Sequence, residues 1–477
     1  MRAARAGGGT INTSGAAANG SHDVIVLGAG FTGTALTAHL CRLGKPGVRI
    51  LLAGNEATLG LAYGAAAPMH LLNVAAGRMS MWPDKPEDFV LWLLANGHAR
   101  EQEVQGVSLP VRFIPRSIYG SYVQDRLREA TAETQALFEQ RTVHAIRLVG
   151  EHAAWQVEFS DGSSATAPVV ALCLGNQAGS LPIAPSSIHA GAMDRIISDP
   201  WRDMRLVEIA PEDRVLVIGT GLTMVDFVLQ REHDGHAGRT IAISRRGLLP
   251  EVHALHAEPG VTTPGMDAEA SLLSLTRLLR TTIAEHAASG RDWRPIVDGL
   301  RPDTQRLWAE LRPADQSCFL RHLGTHWGVA RHRMPPIAGQ RLTAMEQDGR
   351  LEILSGRVAG IRDFKGRLDV DLYERGLPTP RQEQVEWVIN CTGPGRDPVR
   401  SGNTLLRALL DSGIARSDDL RLGLDTNADD QVLAANGRPQ PGLYALGPVA
   451  MGRLYEIVAV PDLRVQCAAV ARKIVAR

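Results

Sequence analysis

The stretch DVIVLGAGFTGTALTAHLCRL, residues 23–43, decides the fold. A short apolar run, typical of a strand buried in a parallel sheet, leads into a glycine-rich turn and then a helical pattern. Gly28 permits the tight turn, Gly30 lets a pyrophosphate approach the backbone, and Gly33 lets the helix pack closely on the strand. The stretch predicts a Rossmann-like fold whose nucleotide contacts come from Gly28, Ala29, Gly30, Phe31, Thr32 and Gly33.

The second strand of such a fold normally ends near an acid that holds the ribose hydroxyls. Here the strand is VRILLA at 48–53, and the expected position falls on Gly54. Asn55 or Glu56 could substitute for the acid, so both are candidate cofactor ligands. The departure weakens the predicted ribose contact but leaves the pyrophosphate contact intact.

A second dinucleotide loop follows in DRVLVIGTGLTMVD, residues 213–226. Its predicted cofactor contacts are Gly219, Thr220, Gly221, Leu222 and Thr223, and Met224 takes the third glycine's place, which predicts looser packing of helix on strand. The next strand, IAISRRG at 241–247, ends in Ser244, Arg245 and Arg246. An arginine there can pair with a 2′-phosphate, which favours NADPH over NADH, although two solvated arginines are the alternative.

Two such loops in one chain predict a protein that holds FAD at the first and a nicotinamide at the second. VVALCLGN (169–176) and EWVINCTGPG (386–395) are buried strands ending in a glycine turn, the second at Gly393, as expected where the chain crosses between two domains. Alternating patterns at 141–166 and after residue 350 predict β-meanders, and helical patterns fill 262–334. The predicted class is α/β, with two Rossmann-like domains, β-meander inserts and a helical insertion.

The predicted division of the chain follows from these patterns. A disordered leader covers 1–21, and the FAD domain combines 22–185 with 386–477. The NAD(P)H domain combines 200–261 with 337–385, and 262–336 forms a helical insertion or substrate lid.

Composition narrows the function further. Lys plus Arg and Asp plus Glu each number 51 in 477 residues, so the net charge is zero and nucleic-acid binding by counterion release is disfavoured. The five cysteines are scattered without a CxxC, as in a reduced cytoplasmic protein, and no zinc site is predicted. The sequence contains no run of 18 apolar residues, so it predicts no membrane-spanning helix.

Several motifs together resemble a bacterial NAD(P)/FAD-binding protein family. They are GLAYG (60–64), HLLNVAAGRMS (70–80), PEDFVLWL (86–93), IPRSIYGSYV (114–123), GTGLTMVD (219–226), ISRRGLLPEVH (243–253), RHRMPP (331–336) and YALGPV (444–449). The layout is similar to that of FAD- and NADPH-dependent N-hydroxylating monooxygenases.

The resemblance implies which residues surround the flavin. His70, Leu72, Asn73 and Met79 would line the ring or its ribityl chain, and Ser80 adjoins them. Tyr63 and Trp82 could stack near the flavin, and packing in the core is the alternative. Gly447 stands where such proteins carry Gly-Asp, and Pro448 replaces the acid. Backbone N–H groups near Val460 would face the pyrimidine end of the flavin.

The resemblance further implies an NADPH-dependent monooxygenase that forms a C4a-peroxyflavin and N-hydroxylates a small amine or amino acid, with O2 as co-substrate. The chemistry is borne by the flavin, so no catalytic side chain is assigned. Arg331 or Arg333 could hold a substrate carboxylate, and a salt bridge between helices is the alternative. Arg116 could contact a cofactor phosphate or Asp125.

Two rival functions stay open on the sequence. One is a flavin oxidase or dehydrogenase driven by its own substrate, with a vestigial nicotinamide site, which Gly54 and Met224 favour. The other is a non-catalytic nucleotide-binding partner protein. The sequence leaves open the substrate, the choice between N-, S- and C-oxidation, and whether the chain forms a homo-oligomer.

Overall fold

The computed structural model describes residues 20–54, 59–64, 66–67, 69–101, 104, 106–151, 154–254, 260–262 and 271–477. Residues 1–19 of the predicted leader lie outside the described residues. The candidate ribose ligands Asn55 and Glu56 also lie outside them.

Strands and helices alternate around residues 24–53 and 215–244, and elsewhere they occur in runs of one type. The described strands are β1 (Gly20–Ser21), β2 (Val24–Leu27), β3 (Arg49–Ala53), β4 (Leu137–Arg141), β5 (Ala145–Glu151), β6 (Ala154–Phe159), β7 (Ser164–Ala167), β8 (Val169–Leu172), β9 (Ile196–Ile197), β10 (Val215–Ile218), β11 (Thr240–Ser244), β12 (Leu351–Phe364), β13 (Arg367–Glu374), β14 (Arg381–Val385), β15 (Trp387–Asn390), β16 (Gln431–Leu433) and β17 (Pro439–Ala445). The described α-helices are α1 (Phe31–Leu43), α2 (Gly60–Tyr63), α3 (Asp88–Ala95), α4 (His98–Glu101), α5 (Arg116–Ala132), α6 (Leu222–His233), α7 (Leu272–Ala288), α8 (Arg294–Gly299), α9 (Thr304–Glu310), α10 (Pro313–Cys318), α11 (Gly324–Arg331), α12 (Pro336–Gln347), α13 (Thr404–Asp411) and α14 (Val460–Val475).

The first sheet has the strand order β16-β17-β8-β2-β3-β4. β2 lies between β3 and β8 and pairs in parallel with both, so Val24 is opposite Ile50 on one side and Val169 on the other. All four residues of β2 are buried, as its uninterrupted apolar sequence predicts. β4-β3-β2-β8-β17 is the 3-2-1-4-5 order of a Rossmann fold, which places the turn after β2 at the switch point where nucleotides bind.

The second sheet repeats this plan in the order β14-β13-β12-β11-β10-β15-β9. β10 lies between β11 and β15 and pairs in parallel with both. The prediction of two Rossmann-like units is therefore confirmed.

Both predicted meanders are present. β5, β6 and β7 pair antiparallel in one sheet, and β6 alternates half-buried and buried residues. β12, β13 and β14 do the same at the edge of the second sheet.

One predicted domain boundary is wrong. The sequence assigned 386–477 to the FAD domain, but β15 pairs with β10 through Val215–Trp387 and the next three positions. The chain completes the second sheet before it returns to the first, because an apolar run does not reveal which sheet it joins.

The helical insertion packs on the first unit. The Trp308 indole stacks on Tyr455 with ring centroids 4.4 Å apart, and its N–H donates to the Gly452 carbonyl at 2.9 Å. None of the helices within the described ranges is both long and apolar enough to cross a membrane.

Candidate dinucleotide sites

The turn after β2 has the backbone geometry that only glycine adopts readily. Gly28 has φ +109°, and a Cβ on it would overlap the backbone oxygen of Cys173. Gly33 is equally restricted, because its Cβ would overlap the backbone oxygen of Gly28. These contacts seat the first turn of α1 directly on the loop.

Gly30 is different, because the space in front of it is open. Its φ of −73° is accessible to any residue, and no described heavy atom lies within 4 Å of the position of a Cβ. Gly30 precedes the first turn of α1, whose N–H groups lack intrahelical acceptors and favour a negative charge. The loop can therefore accept a phosphate where a side chain would stand.

The geometry of the loop also explains why position 54 is a glycine. A Cβ there would lie 2.5 Å from the Ala29 backbone nitrogen, within the loop itself. An acid at Gly54 would collide with the loop, so any ribose contact comes from another residue.

Phe31 and Tyr63 belong to an aromatic cluster behind the loop. Their rings meet edge to face at 6.3 Å, and Tyr63 lies 4.8 Å from Tyr119. Burial raises the pKa of Tyr63 to about 12, so its phenol is neutral at physiological pH. The cluster supports the turn from α2 and α5.

The predicted flavin-lining segment divides into two parts. Leu72 and Met79 are buried, and the Leu72 N–H donates to Ile114 at 2.9 Å, which fixes the segment against the start of α5. Ser80 instead closes a local turn, since its hydroxyl donates to the Lys85 carbonyl at 2.7 Å. Ser80 therefore has a structural role that flavin contact does not require.

Trp82 also has a packing role. Its ring meets His39 of α1 at 4.9 Å, and the Arg42 guanidinium lies 4.2 Å above it. His39 is more than two turns from the loop at the start of α1, so these contacts place Trp82 on the distal half of the helix. They favour packing over the predicted flavin contact.

The C-terminal segment returns to the first loop. Gly447 has φ +73°, and a Cβ there would lie 2.9 Å from the Thr32 hydroxyl oxygen. Its N–H donates to Gln466 at 2.9 Å, and Pro448 follows. Val460 is the first residue of α14, so its N–H has no intrahelical acceptor.

The second loop reproduces the first. Gly219 also has φ +109°, its Cβ would overlap the Cys391 backbone oxygen, and no described heavy atom lies within 4 Å of a Cβ on Gly221. α6 begins with Leu222 and Thr223. Met224 is fully buried in the core behind the sheet, so the missing third glycine leaves the loop geometry unchanged.

The turn after β11 is tied to this loop. The Thr220 hydroxyl lies 2.8 Å from that of Ser244 and 2.6 Å from the Leu248 carbonyl. Arg246 donates to the His322 carbonyl of the insertion at 3.3 Å. Arg245 is exposed and has no side-chain partner in the described ranges, so it is the arginine available to a 2′-phosphate.

The two crossover turns pack on each other. Gly393 has φ +87°, and no described heavy atom lies within 4 Å of the position of a Cβ on it. A Cβ on Gly179 would overlap the backbone oxygen of Gly393. Gln177 and Gly395 form a β-bridge between the turns. The crossovers thus join the two units beside both loops.

A half-buried ion pair that the sequence did not predict also joins the units. Arg116 at the start of α5 donates to Asp226 of α6 at 2.7 Å, and the two side chains are 15% and 12% exposed. Burial raises the pKa of Asp226 to about 6, against the opposing effect of Arg116. Burial lowers the pKa of His70 to about 4, and the positive charge of Arg116 contributes to the same shift. Asp125, the partner considered from sequence, instead accepts from Trp92 at 2.9 Å.

Arg331 and Arg333 lie where the insertion meets the first unit. Arg331 Nε is 3.4 Å from Glu456 Oε2, and Arg333 pairs with Asp298. Both therefore form the salt bridges that were the alternative to substrate binding. No group of three or more potential metal ligands occurs within the part of the chain that the structure describes.

Residues 24–177 match the FAD-NAD(P)-binding family model. No curated protein matches the sequence.

Solved structures share the whole fold. An ornithine hydroxylase from Pseudomonas aeruginosa superposes with a TM-score of 0.64 at 14% identity, covering 96% of this chain and 99% of that one. An L-lysine 6-monooxygenase from Pseudomonas syringae gives 0.62 at 15%, covering 95% and 99%. A bacillithiol disulfide reductase from Bacillus cereus gives 0.54 at 12%, covering 96% and 99%. At these identities the likeness establishes the fold.

Proposed function

We propose that this chain is an FAD-dependent, NADPH-using monooxygenase that N-hydroxylates a small amine or amino acid. The observation that carries the proposal is the second loop, in which Gly219 and Gly221 repeat the strained turn and open space of Gly28 and Gly30. A chain with two intact dinucleotide loops can hold a flavin and a nicotinamide together. The family match and the N-hydroxylating enzymes among its structural neighbours support this choice.

The residues of the first loop fit FAD. The open space at Gly30 would receive the pyrophosphate, and the N-terminus of α1 would balance its charge. Gly447 packs on Thr32, so the segment that leads to Val460 runs beside the same cofactor. The bound flavin would accept a hydride and then activate oxygen.

The second loop fits NADPH. Gly221 leaves space for the pyrophosphate, and Arg245 offers an unpaired guanidinium to the 2′-phosphate. Ser244 holds the turn in place through Thr220, so the position of Arg245 is fixed by the loop itself.

The rest of the chain positions and encloses these sites. The Arg116–Asp226 ion pair links α5 to α6, and Arg116 Nε also donates to the Leu71 carbonyl at 3.1 Å, so it connects α6 to the predicted flavin-lining segment. The insertion packs on the first unit through Trp308, and a site closed in this way would keep water from reactive intermediates. No side-chain nucleophile is required, because the substrate nitrogen is itself the nucleophile.

The overall reaction is R–NH2 + O2 + NADPH + H⁺ → R–NHOH + H2O + NADP⁺. It is tested by incubating the FAD-loaded chain with NADPH, 18O2 and an amine panel, followed by mass spectrometry. One 18O atom in a hydroxylamine product supports the proposal. Hydrogen peroxide and a dehydrogenated amine formed without NADPH would instead identify the substrate-driven oxidase. A bound flavin that no compound reduces would indicate a non-catalytic protein.

A further inference from the structure

Five arginines gather where the helical insertion meets the first unit, and we call them the arginine seam. The insertion contributes Arg301, Arg331 and Arg333, and the first unit contributes Arg78 and Arg464. Each lies within electrostatic range of at least one other, and three acids lie among them, namely Asp298, Glu456 and Asp462.

Each of the three acids forms an ion pair with one of the arginines. Arg301 donates to Asp462 at 2.9 Å, in addition to the Arg331–Glu456 and Arg333–Asp298 pairs. Among the residues that the structure describes, Arg464 donates only to the Ser80 carbonyl, at 3.0 Å. The seam therefore carries two more positive than negative charges.

Arg78 is the arginine of the seam whose guanidinium has no partner among the described residues. No described side chain or carbonyl lies within hydrogen-bond or ion-pair distance of it, although Arg301 and Arg333 are close enough to repel it. It is also exposed, so a small molecule can reach it. An arginine held beside like charges without an acceptor is suited to an anion.

Buried donors point to the same ligand. The Nε atoms of Arg333 and Arg464 are buried with no hydrogen-bond acceptor among the described residues, whereas Arg331 Nε and Glu456 Oε2 face each other as an ion pair at 3.4 Å. The Arg331 and Arg333 side chains are only 9% and 3% exposed. Buried polar atoms are nearly always satisfied, so these unpaired donors indicate a polar partner that the described residues do not supply.

Glu456 adds backbone strain at this position. Its φ is +64°, which a non-glycine residue adopts only when its surroundings hold it there, and such strain clusters at functional sites. The Trp327 indole donates to its carboxylate at 2.6 Å. The insertion thus holds the loop before α14 in one conformation.

We propose that the arginine seam binds a carboxylate of the substrate through Arg78, so that the substrate is an acidic amine and not a diamine. This rests on the proposed function, which places the adjoining Met79 and the start of α14 beside the flavin. A carboxylate at Arg78 offsets the excess charge of the seam. The other nitrogen-bearing end of the substrate would then point towards the flavin.

Three five-carbon probes test the inference by calorimetry on the FAD-loaded full chain: glutarate, 5-aminopentanoate and 1,5-diaminopentane, at constant ionic strength. We expect the two carboxylates to bind and the diamine not to bind. Arg78→Gln should weaken carboxylate binding about tenfold or more, the loss of one charge-assisted hydrogen bond. Arg78→Lys should recover part of it. Arg407→Gln is the matched control, since exposed Arg407 lies on α13, which packs on the opposite face of the sheet.

Several outcomes would overturn the inference: no carboxylate binding, stronger binding of the diamine, or unchanged binding in Arg78→Gln. Binding of inorganic phosphate alone would assign the seam to a phosphate. Loss of FAD from Arg78→Gln with unchanged carboxylate affinity would assign it to the cofactor. Because calorimetry does not depend on turnover, failure of the proposed function would appear separately, as absence of oxygenated product from every amine.

Discussion

Replacement of Gly30 by alanine separates the role of this glycine from that of its neighbours. The φ of −73° suits alanine, and no described heavy atom lies within 4 Å of the added methyl group. The apoprotein should therefore keep its free energy of unfolding to within about 1 kcal/mol, because a glycine-to-alanine change at a compatible backbone costs little. The methyl group would occupy the space assigned to the FAD pyrophosphate.

The expected loss falls on FAD affinity. Displacing the pyrophosphate from the start of α1 breaks one or two charge-assisted hydrogen bonds, worth about 1.5–3 kcal/mol each. The dissociation constant of FAD should rise roughly tenfold to hundredfold for each bond lost. The matched variant Gly221→Ala should weaken NADPH binding by a similar factor and leave FAD unchanged.

Fluorescence titration of FAD into apoprotein, with urea unfolding of each variant, measures both quantities. Wild-type FAD affinity in Gly30→Ala would refute the assignment of the open space to the pyrophosphate. An unfolded apoprotein would refute the geometric reasoning itself.

Three further predictions follow from the same structure. Gly28→Ala should destabilise the apoprotein by about 2 kcal/mol or more in urea unfolding, through its φ of +109° and overlap with Cys173, and wild-type stability would contradict this. Arg245→Gln should raise KM for NADPH about tenfold and leave that for NADH unchanged, whereas equal changes would show that Arg245 does not contact the 2′-phosphate. Burial lowers the pKa of His39 to about 4 from 6.5, so the folded state resists protonation and stability falls as pH drops from about 6.5 to about 4. His39→Leu should flatten that decline in thermal unfolding scans, and an unchanged slope would assign it to other groups.

The sequence predicted the features that depend on neighbouring residues. Both glycine loops, their flanking strands and the meanders follow from local patterns, because apolar runs and turn residues specify them directly. The functions of Gly28 and Gly30 could be told apart by motif, and the structure supplies the physical difference between them.

Features that join distant segments were not predicted. The Arg116–Asp226 pair links residues 110 positions apart, and nothing near either residue indicates its partner. The motif leads one to expect an acid at position 54, whereas a Cβ there would lie 2.5 Å from the Ala29 backbone nitrogen, so the loop has no room for a side chain. The strand β15 was placed in the wrong domain because its apolar sequence suits either sheet.

The central claim is that electrons pass from a nicotinamide at the second loop to a flavin at the first. Anaerobic titration of the FAD-loaded chain with NADPH and, separately, with NADH, followed by the visible flavin spectrum, tests it most directly. The account predicts that NADPH bleaches the flavin and that NADH does so poorly. A bound flavin that neither nucleotide bleaches would contradict it.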